Sequence, residues 1–213
     1  KTDKRIIRDL PEKDELKIYC HLKEEQASLY QSIVDRLMEQ MSGATGIQRK
    51  GLILSALTKL KQVCNHPELL AGKNVIGRTS GKMERFLQLL QPIVDDHERA
   101  LVFTQYVKMG ELLIKEIQHR FPGCAIYFLN GAVPMKKRDE MIKAFQNETR
   151  EAVFILSLRA GGFGLNLTNA NHVIHYDRWW NPAVEEQATD RTYRIGQRRN
   201  VHVYKLIAEG TLE

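Results

Sequence analysis

Apolar residues change their period part-way along this chain of 213 residues. Before residue 80 they recur at spacings of three and four. Ala27, Tyr30, Ile33, Val34, Leu37, Met38 and Met41 form one such stripe. Gly43 and Gly46 interrupt it, and Leu52, Ile53, Ala56, Leu57, Leu60, Val63 and Cys64 form a second. Both stripes predict amphipathic helices. Asn65-His66-Pro67 stops the second helix, and residues 71–80 read as a loop.

After residue 80, helical stripes alternate with short, almost continuous apolar runs. The predicted order is a helix (Met83, Phe86, Leu87, Leu90, Val94), a strand (Ala100 to Phe103), a helix (Leu112, Leu113, Ile117) and a strand (Ala125 to Leu129). A helix (Met141, Ile142, Phe145), a strand (Ala152 to Leu156), a Gly-rich loop, a strand (His172 to Tyr176), a helix over 182–194 and a strand (Val201 to Ile207) follow. Apolar strands between helices predict a parallel sheet covered on both faces. The fold class is α/β, a doubly wound sheet of about five or more strands. Two regions result: 1–80, a leading segment with a helical subdomain, and 81–213, the α/β lobe. Ligands of such sheets sit at the carboxyl ends of the strands, which directs attention to loops 104–106, 130–138, 157–168, 177–182 and 187–199.

Composition changes this picture little. Lys plus Arg is 32 against 26 Asp plus Glu, a formal charge of +6, which favours a polyanionic partner only weakly. Three cysteines, Cys20, Cys64 and Cys124, lie far apart, so no disulfide framework is visible and a reducing compartment fits. Cys64 with His66, and His172 with His175, lack companions at zinc-site spacing. No apolar run reaches the span of about 18 residues that crosses a bilayer, and no signal peptide opens the chain. Starting on Lys1 and stopping at Glu213 in mid-pattern, the chain reads as an excised piece.

Three constellations could carry chemistry. In the loop Ser157 to Leu167, glycines 161, 162 and 164 let a backbone approach a ligand, flanked by Arg159 and Asn166. A dinucleotide fingerprint fails there, because Leu167 stands where the last glycine is needed. In the predicted helix 182–194, Gln187, Arg191 and Arg194 fall on one stripe at i, i+4 and i+7. Such a stripe is either a solvated basic face or a pair of guanidinium groups aimed at a transferring phosphoryl group, with Asp190 as an i,i+4 partner of Arg194. Both tryptophans of the chain stand together in Asp177-Arg178-Trp179-Trp180-Asn181-Pro182. They either pack at the core edge or meet a nucleic acid groove.

Two further runs mislead. Asp95-Asp96-His97-Glu98 resembles an acidic Mg²⁺ box but follows a helix rather than a buried strand, as a solvated turn does. Ser80-Gly81-Lys82 resembles part of a phosphate loop, but Met83 replaces its Ser or Thr and Ile76 its first glycine. Arginines suited to phosphate are present; a phosphate cradle is not.

Taken together, the motifs resemble those of the C-terminal RecA-like lobe of Swi/Snf-type DNA translocases, in helicase superfamily two. Leu10 to Lys13, Glu25-Gln26 and Leu29-Tyr30 resemble the family's opening of this half. Leu60 to Pro67 is similar to its helical-insert hallmark, and Ser80 to Met83 to its return to the core. Val102 to Tyr106 resembles motif IV, and Leu129 to Val133 with Arg138 and Phe145 the segment after it. Ser157 to Leu167 resembles motif V, and Gln187 to Gln197 motif VI.

The resemblance implies that Arg191 and Arg194 are arginine fingers for ATP on the other lobe, assisted by Gln187. It places Gly162, Gly164 and Asn166 near the nucleotide and the interlobe water network. Thr104, Gln105, Arg138, Ser157 and Arg159 would touch the DNA backbone, and Trp180 the DNA groove. ATP and Mg²⁺ would be held mainly by an N-terminal lobe carrying the phosphate loop and acidic box, leaving no metal site in this chain. Double-stranded DNA and that lobe are the implied partners of a monomer that remodels nucleoprotein. Its location would be cytoplasmic and nucleoid-associated in a bacterium or archaeon, nuclear in a eukaryote. The short insert between residues 40 and 80 and the Trp179-Trp180 pair have a bacterial or archaeal look. A lobe of a strand-separating DNA or RNA helicase is the alternative, although such lobes lack the Asn65-His66-Pro67 insert and the Arg194 to Gln197 run.

Overall fold

The computed structural model describes residues 11–43, 45–70, 80–157, 165–194 and 196–213. It contains six strands: β1 (Lys13–Cys20), β2 (Arg99–Thr104), β3 (Ala125–Leu129), β4 (Ala152–Ser157), β5 (His172–His175) and β6 (Val201–Ala208). Six α-helices join them: α1 (Glu24–Met41), α2 (Gly46–Asn65), α3 (Gly81–Asp95), α4 (Val107–Arg120), α5 (Met135–Gln146) and α6 (Pro182–Thr189). The described residues fall into two compact units, one within residues 1–18 and Leu87–Leu206, the other within Tyr19–Phe86 and Ile207–Glu213.

In the first unit the strands lie in the order β1-β6-β5-β2-β4-β3. The order reverses about β2, which pairs in parallel with β4 on one side and β5 on the other. β3 pairs in parallel with β4, and β6 with β5. The sheet is therefore doubly wound, as the alternation of strand and helix predicts. All six residues of β4 and all four of β5 are buried, which only cover on both faces can achieve. Phe154 of β4 and Phe145 of α5 meet with ring centroids 5.2 Å apart, and Tyr127 of β3 closes edge-on against Phe145 at 5.6 Å. This aromatic knot joins Leu101, Leu129, Leu156, Leu167 and Val173 in one core cluster.

Two features depart from the sequence pattern. Lys13–Cys20 is a strand, where only helical signals are read before residue 80. Its N- and C-terminal ends run beside β6 in one direction, Val201 N–H donating to Glu12 O at 2.9 Å and Glu209 N–H to Cys20 O at 2.9 Å. As an edge strand it buries only Cys20 fully, so it lacks the continuous apolar run that marks the others. The second departure is α6, which ends at Thr189 rather than continuing to residue 194.

In the second unit α1 packs on α2. Gln26, wholly buried, donates from Nε2 to Val63 O at 2.7 Å and accepts from the Gly81 N–H at 3.0 Å. Ser80 caps α3 by accepting from Met83 N–H at 3.0 Å, while its hydroxyl donates to Asn65 O at 2.8 Å. Lys82 Nζ donates to Asn65 Oδ1 at 3.0 Å and to Glu213 Oε2 at 2.6 Å, with both charged side chains fully buried. The phosphate-loop lookalike is thus a packing device. Gly81 is required there, because a Cβ would stand 1.8 Å from the His21 carbonyl oxygen. The acidic-box lookalike is an exposed turn through His97, where φ is 54°, but Glu98 turns inward to Asn171 Nδ2 at 2.9 Å and to His172 Nε2.

Candidate functional site

Three polar segments emerge where the central strands end. Thr104 closes β2 and lies in register with Ser157, the end of β4. β5 runs on through Tyr176, whose N–H donates to Phe103 O at 3.0 Å, into Asp177. A carboxylate at the end of a buried strand needs donors, and β2 supplies them. Thr104 Oγ1 donates to Asp177 Oδ2 at 2.6 Å, and the Gln105 N–H is shared between both carboxylate oxygens at 3.0 Å. Gln105 Nε2 then donates to Arg178 O at 2.8 Å. Two loops at the carboxyl edge are thereby fixed to each other. Sequence reasoning quoted Asp177 in the tryptophan run but gave it no role; its position directly after a buried strand is the signal for one.

Beyond Asp177 the loop presents one large ring to solvent: Trp180 is 60% exposed. Trp179 is half-buried, its indole Nε1 enclosed without a hydrogen-bond partner. Asn181 caps α6, its Oδ1 accepting from the Ala183 N–H at 3.1 Å, and Pro182 opens the helix. His175, beneath this loop, is wholly buried, stacked on Phe103 at 5.5 Å, with Nε2 2.9 Å from Thr189 Oγ1. Burial pushes its pKa down to about 4, against the opposing pull of Glu185.

Because α6 stops at Thr189, Arg191 and Arg194 do not share a helical stripe with Gln187. They lie in the turns that follow, so the i,i+4 geometry expected for Asp190 and Arg194 does not apply. Loop 187–199 also leads into the start of β6 and not to a carboxyl edge. The turns are tied to the tail of the glycine loop: Leu167 N–H donates to Arg191 O at 3.0 Å and Arg194 Nη1 to Leu165 O at 3.4 Å. Gln197 adds three bonds from Nε2, to Ala170 O at 2.8 Å, Thr168 O at 3.2 Å and Thr192 O at 3.4 Å. Gln187, Arg194 and Asn166 are exposed, whereas Arg191 is only 6% exposed. Burial, then the charge of Arg194, lowers the Arg191 pKa, with Asp190 opposing.

Of the remaining candidates, Thr104, Ser157 and Arg138 are buried and Gln105 is half-buried. Arg159, Gly162 and Gly164 lie outside the described residues. Among the described residues no three His, Cys, Asp or Glu side chains cluster as metal ligands, and no helix is long and apolar enough to cross a membrane.

Residues 81–196 match the helicase conserved C-terminal domain, and residues 1–69 the SNF2-related domain. The chain belongs to the Swi2/Snf2 family of ATPases. It is 49% identical over 222 residues to a Bacillus subtilis protein described as a putative ATP-dependent helicase/translocase YwqA, which it matches along 100% of its own length. It spans 23% of that protein, and 20% and 15% of two further relatives. The Sulfolobus solfataricus SWI2/SNF2 ATPase C-terminal domain superposes with a TM-score of 0.80 at 42% identity, covering 95% of this chain and 82% of that one. The Sulfolobus solfataricus SWI2/SNF2 ATPase core in complex with dsDNA gives a TM-score of 0.81 at 47% identity, covering 100% of this chain and 44% of that one. A six-stranded parallel sheet flanked by helices is the RecA-like lobe of this Swi2/Snf2 family.

Proposed function

We propose that this chain is the C-terminal motor lobe of an ATP-dependent double-stranded DNA translocase, and that it hydrolyses no ATP without an N-terminal lobe. The observation that carries this reading is the pair of hydrogen bonds joining Arg191 and Arg194 to Leu167 and Leu165. They bring the guanidinium-bearing turns of motif VI against the tail of the glycine loop of motif V, as a split nucleotide site requires. The likeness to a core bound to dsDNA supports the choice of polymer.

In the proposed cycle, ATP binds on the N-terminal lobe and the two lobes close. Arg194, exposed, meets the phosphates directly, and Arg191 completes the pair as the lobes close, with Gln187 assisting. Gly162, Gly164 and Asn166 line the nucleotide side. Guanidinium groups there stabilise the charge that develops on the transferring phosphoryl group. Mg²⁺ bound with the nucleotide on the N-terminal lobe would neutralise phosphate charge there.

On the DNA side, Gln105, Arg138, Ser157 and Arg159 track the phosphate backbone and Trp180 enters the groove. Thr104, whose hydroxyl is bound to Asp177, acts by orienting Gln105. Closing and opening then shift these contacts along the duplex. Phosphate contacts hold position without reading sequence, so binding is sequence-tolerant and salt-sensitive.

The name of the Bacillus relative keeps a strand-separating helicase as the second reading. One assay separates them. With ATP, the full-length protein should displace the third strand of a DNA triplex while leaving a forked duplex paired. Separation of the forked duplex at a comparable rate supports the helicase instead.

A further inference from the structure

Glu185 lies in the first half of α6 with its side chain wholly buried. A carboxylate out of water is stable only when donors surround it. Arg178 provides a two-pronged contact, Nε to Oε1 at 2.7 Å and Nη2 to Oε2 at 3.1 Å. The Trp179 N–H adds a third bond to Oε1 at 2.9 Å. Lys205 Nζ of β6 stands 3.7 Å from Oε2 and is itself paired with Glu15 of β1. Burial works to raise the Glu185 pKa, but the bonds from Arg178 and the Trp179 N–H outweigh it and the net shift is downward.

All three hydrogen bonds come from the two residues immediately before Trp180. The loop is fixed at its start by Asp177 on Thr104 and Gln105, and at its end by the Asn181 cap. Between those anchors, the Glu185 carboxylate holds the Arg178 guanidinium and the Trp179 N–H, while Gln105 Nε2 holds the Arg178 carbonyl. The Trp179 indole N–H, buried without a partner, contributes no hydrogen bond to that task.

We propose that Glu185 is a positioning residue for duplex DNA: through the Arg178 fork and the Trp179 N–H it sets the pose in which Trp180 meets the groove. The role rests on the translocase reading and adds to it a residue that touches neither nucleotide nor DNA. Glu185→Gln tests it sharply, because the amide keeps the shape yet turns one acceptor into a donor facing the Arg178 fork. Glu185→Asp keeps the charge and withdraws it by one methylene.

The experiment measures ATP hydrolysis by the full-length protein as duplex and ATP are titrated in turn. In Glu185→Gln the duplex concentration giving half-maximal stimulation should rise about tenfold, as for loss of a buried charge-assisted contact. The KM for ATP should move less than about twofold, and Glu185→Asp should recover most of the loss. An unchanged duplex response, or duplex and ATP parameters that move together, overturns the positioning role. Should Glu185→Gln not fold, Arg178→Lys keeps a charge beside Glu185 while removing the fork. It should raise the half-stimulating concentration several-fold, and no rise overturns the role equally. A parent protein that duplex does not stimulate removes the motor reading and the positioning role together; a stimulated parent with an unaffected Glu185→Gln removes the role alone.

Discussion

Thr104 Oγ1 and Asp177 Oδ2 stand 2.6 Å apart, joining the ends of two neighbouring strands, β2 and β5. Asp177 also accepts the Gln105 N–H, so one buried carboxylate holds two loops at the carboxyl edge of the sheet. Asp177→Ala leaves a buried hydroxyl and a backbone N–H without their acceptor. Each such loss costs about 1–3 kcal/mol. A drop of several degrees in the melting temperature is expected, with weakened duplex binding. Unchanged melting and binding would mean that the two loops hold their shape unaided.

Lys82 and Glu213 make a second buried contact, in the helical unit, with Asn65 completing the node. Removing one member of a buried ion pair strands the other, typically at a cost of about 3–5 kcal/mol. Lys82→Met should therefore destabilise strongly in denaturant titration. The double variant with Glu213→Gln should recover a substantial part, since it relieves the uncompensated charge. If the double variant is no more stable than the single one, charge stranding is not the cause.

His175 makes stability depend on pH. Its folded pKa is lowered to about 4 by burial, whereas an unfolded histidine titrates near 6.5. Between these values the unfolded chain binds a proton that the folded chain refuses. Stability from this residue is therefore complete above about pH 6.5 and declines as pH falls toward 4, by about 3 kcal/mol in all. Melting curves from pH 7.5 to 4.5 should show that decline, and His175→Phe should flatten it. Parallel curves for the two proteins would count against the assignment.

How far these features could be read from the sequence follows from burial. β4 and β5 are buried throughout, β2 after Arg99 and β6 for the most part, so their apolar runs announce them without tertiary knowledge. β1 escapes because an exposed edge strand keeps only the alternation of Leu16, Ile18 and Cys20 among charged residues. The end of α6 escapes for a different reason. No Gly or Pro interrupts the chain from Ala183 to Ile195, and the stop at Thr189 depends on long-range bonds such as Leu167 N–H to Arg191 O. The motif residues themselves were legible, but their surroundings were not. Nothing local distinguishes the buried Arg191 from the exposed Arg194, or reveals that Glu185, rather than a solvated helix face, supports the tryptophan loop.

The most direct test of the account is the DNA-stimulated ATPase rate of the full-length protein carrying Arg191→Ala or Arg194→Ala. An arginine that meets the transferring phosphoryl group is worth about 10³-fold or more in turnover. Each variant should lose activity on that scale while still binding duplex DNA within a few-fold of the parent. Hydrolysis at the parental rate in either variant would contradict the role of that arginine, and in both it would contradict the motor assignment of this lobe.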